Sequence, residues 1–176
     1  MIALSDTPTL RTDRFTLRAP VATDWPAWCA FHTSERARFV GGTGETTTAW
    51  RSFGHFVGHW VLRGFGSFVI QTHDDPAPLG SVGPWYPEGW PETEIGWTLW
   101  SPEAEGKGII QEAARAGIDF AFGTLGWSQA VSYIEPGNTA SIRVAERLGA
   151  TRDDTAPNPF DDNTLVYRHP VPGARA

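Results

Sequence analysis

Short apolar runs recur along the chain, and some alternate with polar residues at the period of two that is typical of half-buried strands. The clearest alternation is Phe-Thr-Leu-Arg-Ala at residues 15–19. Strands are predicted at residues 15–19, 65–72, 79–86, 94–100, 130–134 and 165–168. Glycine and proline are scattered between these runs, which indicates many short elements joined by turns.

Other stretches show the features of helices. Residues 25–32 follow Asp24, residues 46–63 form an aromatic-rich stretch, and a third helix is predicted after Gly108. In this third helix the residues that recur at helical spacing are Ile110, Ala113, Ala114, Gly117 and Ala121. The last helix covers residues 138–148, and Gly149 follows it where a left-handed helix end favours glycine. This order of elements predicts an α/β (α+β) domain on a mostly antiparallel sheet with a parallel portion.

The composition narrows the class of protein. A chain of 176 residues fits one domain, expected to span residues 1–176 with a loose tail from about residue 170. The net charge is −6 with no run of lysine or arginine, so no nucleic-acid partner is expected. No signal peptide is recognisable, and residues 53–70, the most apolar stretch, are interrupted by histidines, an arginine and glycines. We expect a cytoplasmic protein without a membrane partner, and the single Cys29 allows no internal disulfide.

The strongest chemical signal is the junction Gly106-Lys107-Gly108 between a predicted strand and a predicted helix. Glycines allow the backbone to approach a ligand closely, and the first turn of a helix presents unpaired N–H groups with partial positive charge. Such a junction can bind phosphate or pyrophosphate. A tight turn that merely needs glycine is the alternative. The junction lacks the third glycine of a dinucleotide fingerprint and the Gly-Lys-Ser/Thr of a P-loop.

Further segments occur at matching separations, and with this junction they resemble the GNAT superfamily of N-acetyltransferases. The segments are RFTLRAPVATDWPA, PLGSVG, EIGWTL, GKGIIQEAARA, IEPGNTASIRVAERLGA and LVYRHP, which span nearly the whole chain. Within the superfamily the chain resembles the branch of ribosomal-protein N-terminal (Rim-type) acetyltransferases and their small-molecule relatives. The resemblance implies a GNAT-like domain whose sheet of about six to seven strands is flanked by helices. It also implies acetyl-coenzyme A as co-substrate, a primary amine as acceptor and no metal.

The resemblance also implies a set of coenzyme-binding residues. In the family, a Gln/Arg-x-x-Gly-x-Gly/Ala loop binds the pyrophosphate through its backbone amides. This loop corresponds to Glu105, Gly106, Lys107, Gly108, Ile109 and Ile110, where Glu105 replaces the usual Gln/Arg and Ile110 the small residue. The end of the preceding strand, around Thr98 to Trp100, is expected to pair with the pantetheine arm, which Asn138 helps to hold. Arg147, at i, i+4 spacing from Arg143, could meet the outer phosphates or remain solvated.

Glu94 and Ser141 are the candidate catalytic residues. Many family members carry a tyrosine proton donor four residues beyond the Ser141 position, where this chain has Ala145. Ser141 or a bound water is therefore expected to protonate the leaving thiolate. Glu94 is expected to be the general base, directly or through a water, because an ammonium has no lone pair with which to attack. Glu92 shares its strand face but lies farther from the strand centre. The alternatives are a solvated or arginine-paired Glu94, and an Asn138 that only caps a helix.

Other interpretations stay open at this point. His55 and His59 have an i, i+4 spacing that can serve a metal, but no third ligand is evident, and a position in a pocket or in solvent is favoured. A non-catalytic acyl-coenzyme A-binding regulatory domain, or a scaffold that retains only the fold, would need no general base. The acceptor is either a protein N-terminus or a small-molecule amine such as an aminoglycoside-like amine, a polyamine or an amino acid. A homodimer is left open.

Overall fold

A mixed sheet runs through the computed structural model, which describes residues 4–42, 44–160 and 163–173. Its eight strands are β1 (Leu10–Arg11), β2 (Phe15–Arg18), β3 (Phe68–Thr72), β4 (Gly80–Trp85), β5 (Glu94–Leu99), β6 (Val131–Ile134), β7 (Thr151–Arg152) and β8 (Leu165–Arg168). Their order is β1-β2-β3-β4-β5-β6-β8-β7, and every neighbouring pair is antiparallel except β5 and β6. The predicted fold class is therefore confirmed. The count exceeds the expected six to seven because β1 and β7 have two residues each, too few to show a periodicity.

The helices of the described residues lie where the sequence placed them. They are α1 (Trp25–His32), α2 (Thr46–Arg63), α3 (Ile109–Asp119) and α4 (Thr139–Arg147). A π-helical turn, Phe120–Thr124, continues α3. Gly149 follows α4 with a φ of 85°, which is the left-handed conformation predicted for it. The predicted tail is described only as far as residue 173, and residues 174–176 lie outside the described part of the chain.

Helices cover both faces of the sheet. On one face Phe68, Ile70 and their neighbours pack against α3, where Ala113 is fully buried. On the other face Val69 packs against α1 and against Phe56 of α2. The aromatic-rich α2 therefore contributes to the core, and no helix in the described ranges is both long and apolar enough to cross a membrane.

The parallel strands β5 and β6 separate soon after they meet. Their backbones pair at Glu94 and Val131, and the Val131 N–H donates to the Thr93 carbonyl at 2.9 Å. One residue further on, a side chain makes the link, because the Ser132 hydroxyl donates to the Ile95 carbonyl at 2.6 Å. Beyond it β5 continues to pair with β4, and β6 with β8. The facing edges of the two strands are therefore unpaired, and we call this opening the β5/β6 gap.

The closed end of this gap is the end where Glu94 pairs with Val131. An ion pair lies next to it. Arg168 of β8 donates to both carboxylate oxygens of Glu92, at 2.8 and 3.0 Å. Glu92 is 7% exposed, and Arg168 also donates to Asp153 at 2.9 Å. Because Glu92 precedes β5 and β6 lies between β5 and β8, the pair ties the two strands that flank β6.

We expect Glu92→Gln to lower the free energy of unfolding by roughly 2 kcal/mol, because Arg168, whose side chain is 32% exposed, loses the charge of its buried partner. Urea denaturation measures this loss. The matched control is Glu88→Gln, which removes an ion pair to Arg63 from an almost fully exposed carboxylate and is expected to cost less than about 0.5 kcal/mol. Equal stability of the two variants would contradict a structural role for Glu92.

Candidate active site

A cavity of about 530 Å³ opens at the β5/β6 gap. Its walls come from α1, α2, the segment after α1, strands β4 to β6 and the start of α4. The predicted site residues Glu94, Thr98, Asn138 and Ser141 all line it. The structure thus brings together residues that are far apart in the sequence, such as Glu94 and Ser141.

Glu94 is half-buried in the cavity wall and pairs with no arginine or lysine of the described residues. Its carboxylate accepts a hydrogen bond from the Trp90 indole N–H at 2.7 Å. Burial raises the pKa of Glu94 to about 7, although the Trp90 indole and the Tyr133 backbone N–H favour its ionised form. A carboxyl with a pKa near neutrality can accept a proton from a bound group and release it again.

Gly96 has no side chain, so the β5 backbone forms the floor of the cavity beside Glu94. The two residues lie on the same face of β5 because strand side chains alternate. A Cβ placed at Gly96 would meet only the Glu94 carboxylate, at 3.7 Å, within a 4 Å radius. The strand therefore offers open space between Glu94 and Thr98, where a small group can lie against the backbone.

Ser141 faces the cavity from the first turn of α4, and two neighbours hold it. The Trp97 indole N–H donates to the Ser141 hydroxyl oxygen at 3.2 Å, so the hydroxyl keeps its own proton for another acceptor. The Asn138 side chain accepts from the Ser141 backbone N–H at 3.2 Å, which makes Asn138 the N-cap of α4. The capping role proposed as an alternative for Asn138 is thus observed, and its side-chain NH₂ has no partner among the described residues that would prevent it from binding a ligand.

The unpaired edge of β5 presents backbone groups to the gap. The carbonyls of Thr93, Ile95 and Leu99 all accept bonds from the β6 side or from the side chain of Arg36. By alternation, the N–H and carbonyl of Trp97 point the same way. The pattern adds Trp97 to the residues expected to pair with a pantetheine arm, and sequence reasoning did not single it out for this role.

Thr98 and Trp100 are engaged within the protein through their side chains. The Thr98 hydroxyl lies 2.9 Å from that of Ser81 and accepts from the Trp100 indole at 2.9 Å. The Trp100 ring is buried against Trp28 and Phe56. The Trp100 backbone has partners as well, because its N–H donates to the Leu79 carbonyl at 2.8 Å and its carbonyl accepts from Arg36. The polar groups of Trp100 are therefore bonded within the protein.

The glycine loop, residues 105–108, joins β5 to α3. Gly106 and Gly108 have φ values of 72° and 70°, a conformation that favours glycine, and both are exposed. Gly108 is the N-cap of α3, and no side chain caps this end, so the first N–H groups of the helix are free for an anion. Ile109 is buried and Ile110 packs against the core, so neither isoleucine side chain obstructs the exposed loop.

Arg36 forms an ion pair with Glu105, the acid of this loop. Its guanidinium donates to the Glu105 carboxylate at 2.7 and 3.1 Å. It also donates to the carbonyls of Trp100 at 2.6 Å and Leu99 at 3.0 Å. The Glu105 charge is thus neutralised beside the expected pyrophosphate position, and the loop is tied to the end of β5. Arg147 lies exposed at the end of α4 and does not line the cavity.

The two histidines of α2 have different environments. Tyr86 N–H donates to His59 Nε2 at 2.9 Å, so the ring's proton is on Nδ1, which lies 2.7 Å from the Phe65 carbonyl. Burial also lowers the pKa of His59, so both nitrogens are occupied in a neutral ring. His55 is exposed, lines the cavity and packs against Trp85. No metal-binding group of three or more ligand side chains occurs in the described ranges.

Ser132, which links β6 to β5 at the closed end of the gap, is hydrogen-bonded to the buried His169. Because its hydroxyl donates to Ile95, Ser132 accepts from His169 Nε2 at 2.9 Å. Burial lowers the pKa of His169 to about 4, so this ring is neutral at neutral pH. This support links β8 to the point where β5 and β6 separate.

The chain also matches the model of a known family. The model of the acetyltransferase (GNAT) domain matches residues 14–151. The chain therefore belongs to the GNAT acetyltransferase family, as its motifs predicted. Members of this family use acetyl-coenzyme A as co-substrate.

Individual solved structures and one curated protein are also similar to the chain. The crystal structure of an acetyltransferase from Agrobacterium tumefaciens str. C58 is 38% identical, covers 96% of this chain and 98% of its own, and has a TM-score of 0.87. A ribosomal-protein-S5-alanine acetyltransferase from Vibrio fischeri shares the fold at 16% identity, with 96% and 100% of the two chains covered and a TM-score of 0.66. The Bacillus subtilis (strain 168) protein YkkB, named as uncharacterized, is 45% identical over 56 residues. That match spans 32% of this chain and 32% of YkkB.

Gly108→Trp is expected to weaken acetyl-coenzyme A binding by at least about tenfold, because a large side chain would cover N–H groups that bind phosphate. Isothermal titration calorimetry measures the change. Gly126→Trp is the matched control, because Gly126 has a similar φ of 69°, lies outside the loop and would suffer the same backbone strain. An equal loss of affinity in both variants would indicate strain alone and would remove Gly108 from the coenzyme site.

Glu94→Gln is expected to stabilise the protein at pH 8 but not at pH 4. A carboxyl whose pKa rises from 4.5 in the unfolded chain to about 7 in the fold costs stability progressively as pH rises through this window. The full cost above pH 7 is on the order of 3 kcal/mol, which the neutral glutamine avoids. Thermal melts of both proteins at the two pH values test this, with Glu135→Gln, an exposed acid of the same cavity, as control. A difference in Tm that is independent of pH would contradict the desolvated carboxyl.

Proposed function

We propose that this protein transfers the acetyl group of acetyl-coenzyme A to a primary amine by direct attack in a ternary complex. The observation that supports this most is the shared cavity at the β5/β6 gap, with Glu94 at the closed end of the gap and Ser141 on α4. One group is suited to accept a proton and the other to donate one. A single cavity between them is what acyl transfer without an acyl-enzyme requires.

Glu94 is the general base in this mechanism. An amine arrives as an ammonium, whose solution pKa is about 8 for an α-amine and about 10.4 for lysine. The ionised Glu94 takes one proton, directly or through a water, and the freed lone pair forms the C–N bond to the thioester carbonyl. The second N–H proton leaves the nitrogen as the tetrahedral intermediate collapses, and it replaces, through water, the proton that Ser141 or a bound water gives to the thiolate.

Ser141 and the backbone of β5 act on the leaving side. The C–S bond breaks, the electron pair goes to sulfur, and the Ser141 hydroxyl or a bound water protonates the thiolate. Trp97 orients this hydroxyl through its indole N–H. Before collapse, the negative charge on the carbonyl oxygen needs a donor. In this proposal the Trp97 backbone N–H donates to that oxygen, and the Trp97 carbonyl is left to pair with the pantetheine arm.

A regulatory domain that binds acyl-coenzyme A without turnover is the alternative function. It would use the glycine loop and the open edge of β5 but would need no desolvated acid. The position of Glu94, half-buried without a cationic partner among the described residues, favours the enzyme, because such a group destabilises the fold and has a pKa suited to catalysis.

Glu94→Gln is expected to lower kcat by a factor of about 10² to 10⁴ with little effect on acetyl-coenzyme A affinity. The loss should shrink as pH rises, because more of the amine is then already neutral. Wild-type kcat/KM should fall below pH 7, where Glu94 takes up a proton. The measurement is free thiol release from acetyl-coenzyme A over a panel of amines, with Glu135→Gln as the control. Wild-type turnover by Glu94→Gln at neutral pH would exclude Glu94, and coenzyme binding without turnover of any amine by the wild type would favour the regulatory domain.

A further inference from the structure

Aromatic rings come from a third of the residues that line the cavity. The rings on its walls are those of Trp28, Phe31, Phe39, Phe56, Trp85, Trp90, Trp97, Tyr133 and Phe160. They come from helices, strands and loops that are distant in sequence, so this lining is a product of the fold. A concave surface of this kind favours a flat apolar group over an extended polar chain.

Three of these rings form a cluster directly beside Glu94. Trp90 and Phe160 lie edge to face with centroids 5.5 Å apart, and Tyr133 packs edge to face on both, at 6.5 and 6.4 Å. Trp90 is fixed because its only donor, the indole N–H, is bonded to Glu94. Phe160 is 41% exposed, so part of an apolar ring at the mouth is left uncovered.

Charged groups in the cavity are few and unevenly placed. Among the described lining residues the acids are Glu94 and Glu135, and Glu135 is exposed. Arg38 also lines the cavity and would repel a second cationic centre. The described walls thus provide one half-buried carboxylate for one ammonium, and no second buried acid for a polyamine or an aminoglycoside.

Resting on the acetyl transfer proposed above, we propose that the acceptor is an arylalkylamine, a primary amine with an aromatic ring on a short alkyl chain. Its nitrogen lies at Glu94, next to the open floor at Gly96. Its ring packs edge to face on Trp90, Tyr133 and Phe160. Before deprotonation, the ammonium is also attracted by the faces of the surrounding rings. The cavity volume, which must also take the acetyl end of the coenzyme, suits such a compact acceptor.

The test compares 2-phenylethylamine with n-butylamine, spermidine and a dipeptide in the thiol-release assay. We expect kcat/KM for 2-phenylethylamine to exceed that for each of the others by on the order of 10²-fold. Faster acetylation of spermidine or of the dipeptide would overturn the proposal and assign the site to a polyamine or to a peptide N-terminus.

A variant pair locates the ring. Phe160→Ala is expected to raise KM for 2-phenylethylamine by about tenfold and KM for n-butylamine by less than about twofold, with kcat nearly unchanged. Trp50→Ala is the control, because Trp50 is an exposed aromatic residue that does not line the cavity. Equal effects of Phe160→Ala on the two amines would contradict the placement of the ring.

Calorimetric titration of 2-phenylethylamine into the protein in the presence of coenzyme A distinguishes the proposed acetyl transfer from the proposed ring site. Binding that Phe160→Ala weakens, without thiol release, would overturn acetyl transfer to this amine but leave the ring site in place. Thiol release with other amines and no binding of 2-phenylethylamine would overturn the ring site alone. Neither binding nor turnover of any amine would overturn both.

Discussion

The separation of β5 from β6 after a single paired position is the constraint on which the site depends. A strand inside a sheet normally satisfies its backbone groups on both sides, and here β5 loses one side over most of its length. Two sets of side-chain hydrogen bonds satisfy part of this edge. The Ser132 hydroxyl donates to the Ile95 carbonyl, and Arg36 donates to the carbonyls of Leu99 and Trp100 at the other end of β5. What remains between them is an open backbone edge that faces a cavity, which is the polar surface that a ligand with amide groups can complete.

Two acids near the closed end of this opening have different electrostatic environments. Glu92 is buried but receives two hydrogen bonds from Arg168, so its charge is compensated and it links strands. Glu94 is two residues further along, reaches the cavity and meets only dipolar donors, so burial raises its pKa. The same residue type serves stability in one place and is suited to proton transfer in the other. The presence or absence of one arginine decides between these roles.

Arg36 connects the glycine loop to the end of β5 and to the segment after α1. It lies in the 3-10 segment Glu35–Val40, whose later residues line the cavity, and it holds Glu105 of the glycine loop. An acid at this position would repel a pyrophosphate if it stood alone, and the guanidinium cancels that charge. The same guanidinium also binds the end of β5, so one side chain bonds both the loop and the strand.

The sequence alone determined the features that depend on local pattern. Strand and helix spans and the left-handed Gly149 could be predicted, because periodicity and glycine conformation act over a few residues. The family could be predicted from motifs whose order and spacing are read directly from the sequence. Tertiary structure alone decided which acid is desolvated, how Glu105 is neutralised by a residue 69 positions away, and that Trp97 positions Ser141. These outcomes depend on register, strand separation and long-range side-chain packing. None of them leaves a periodic signal in the chain, because burial is a property of what packs around a residue and not of its sequence neighbours.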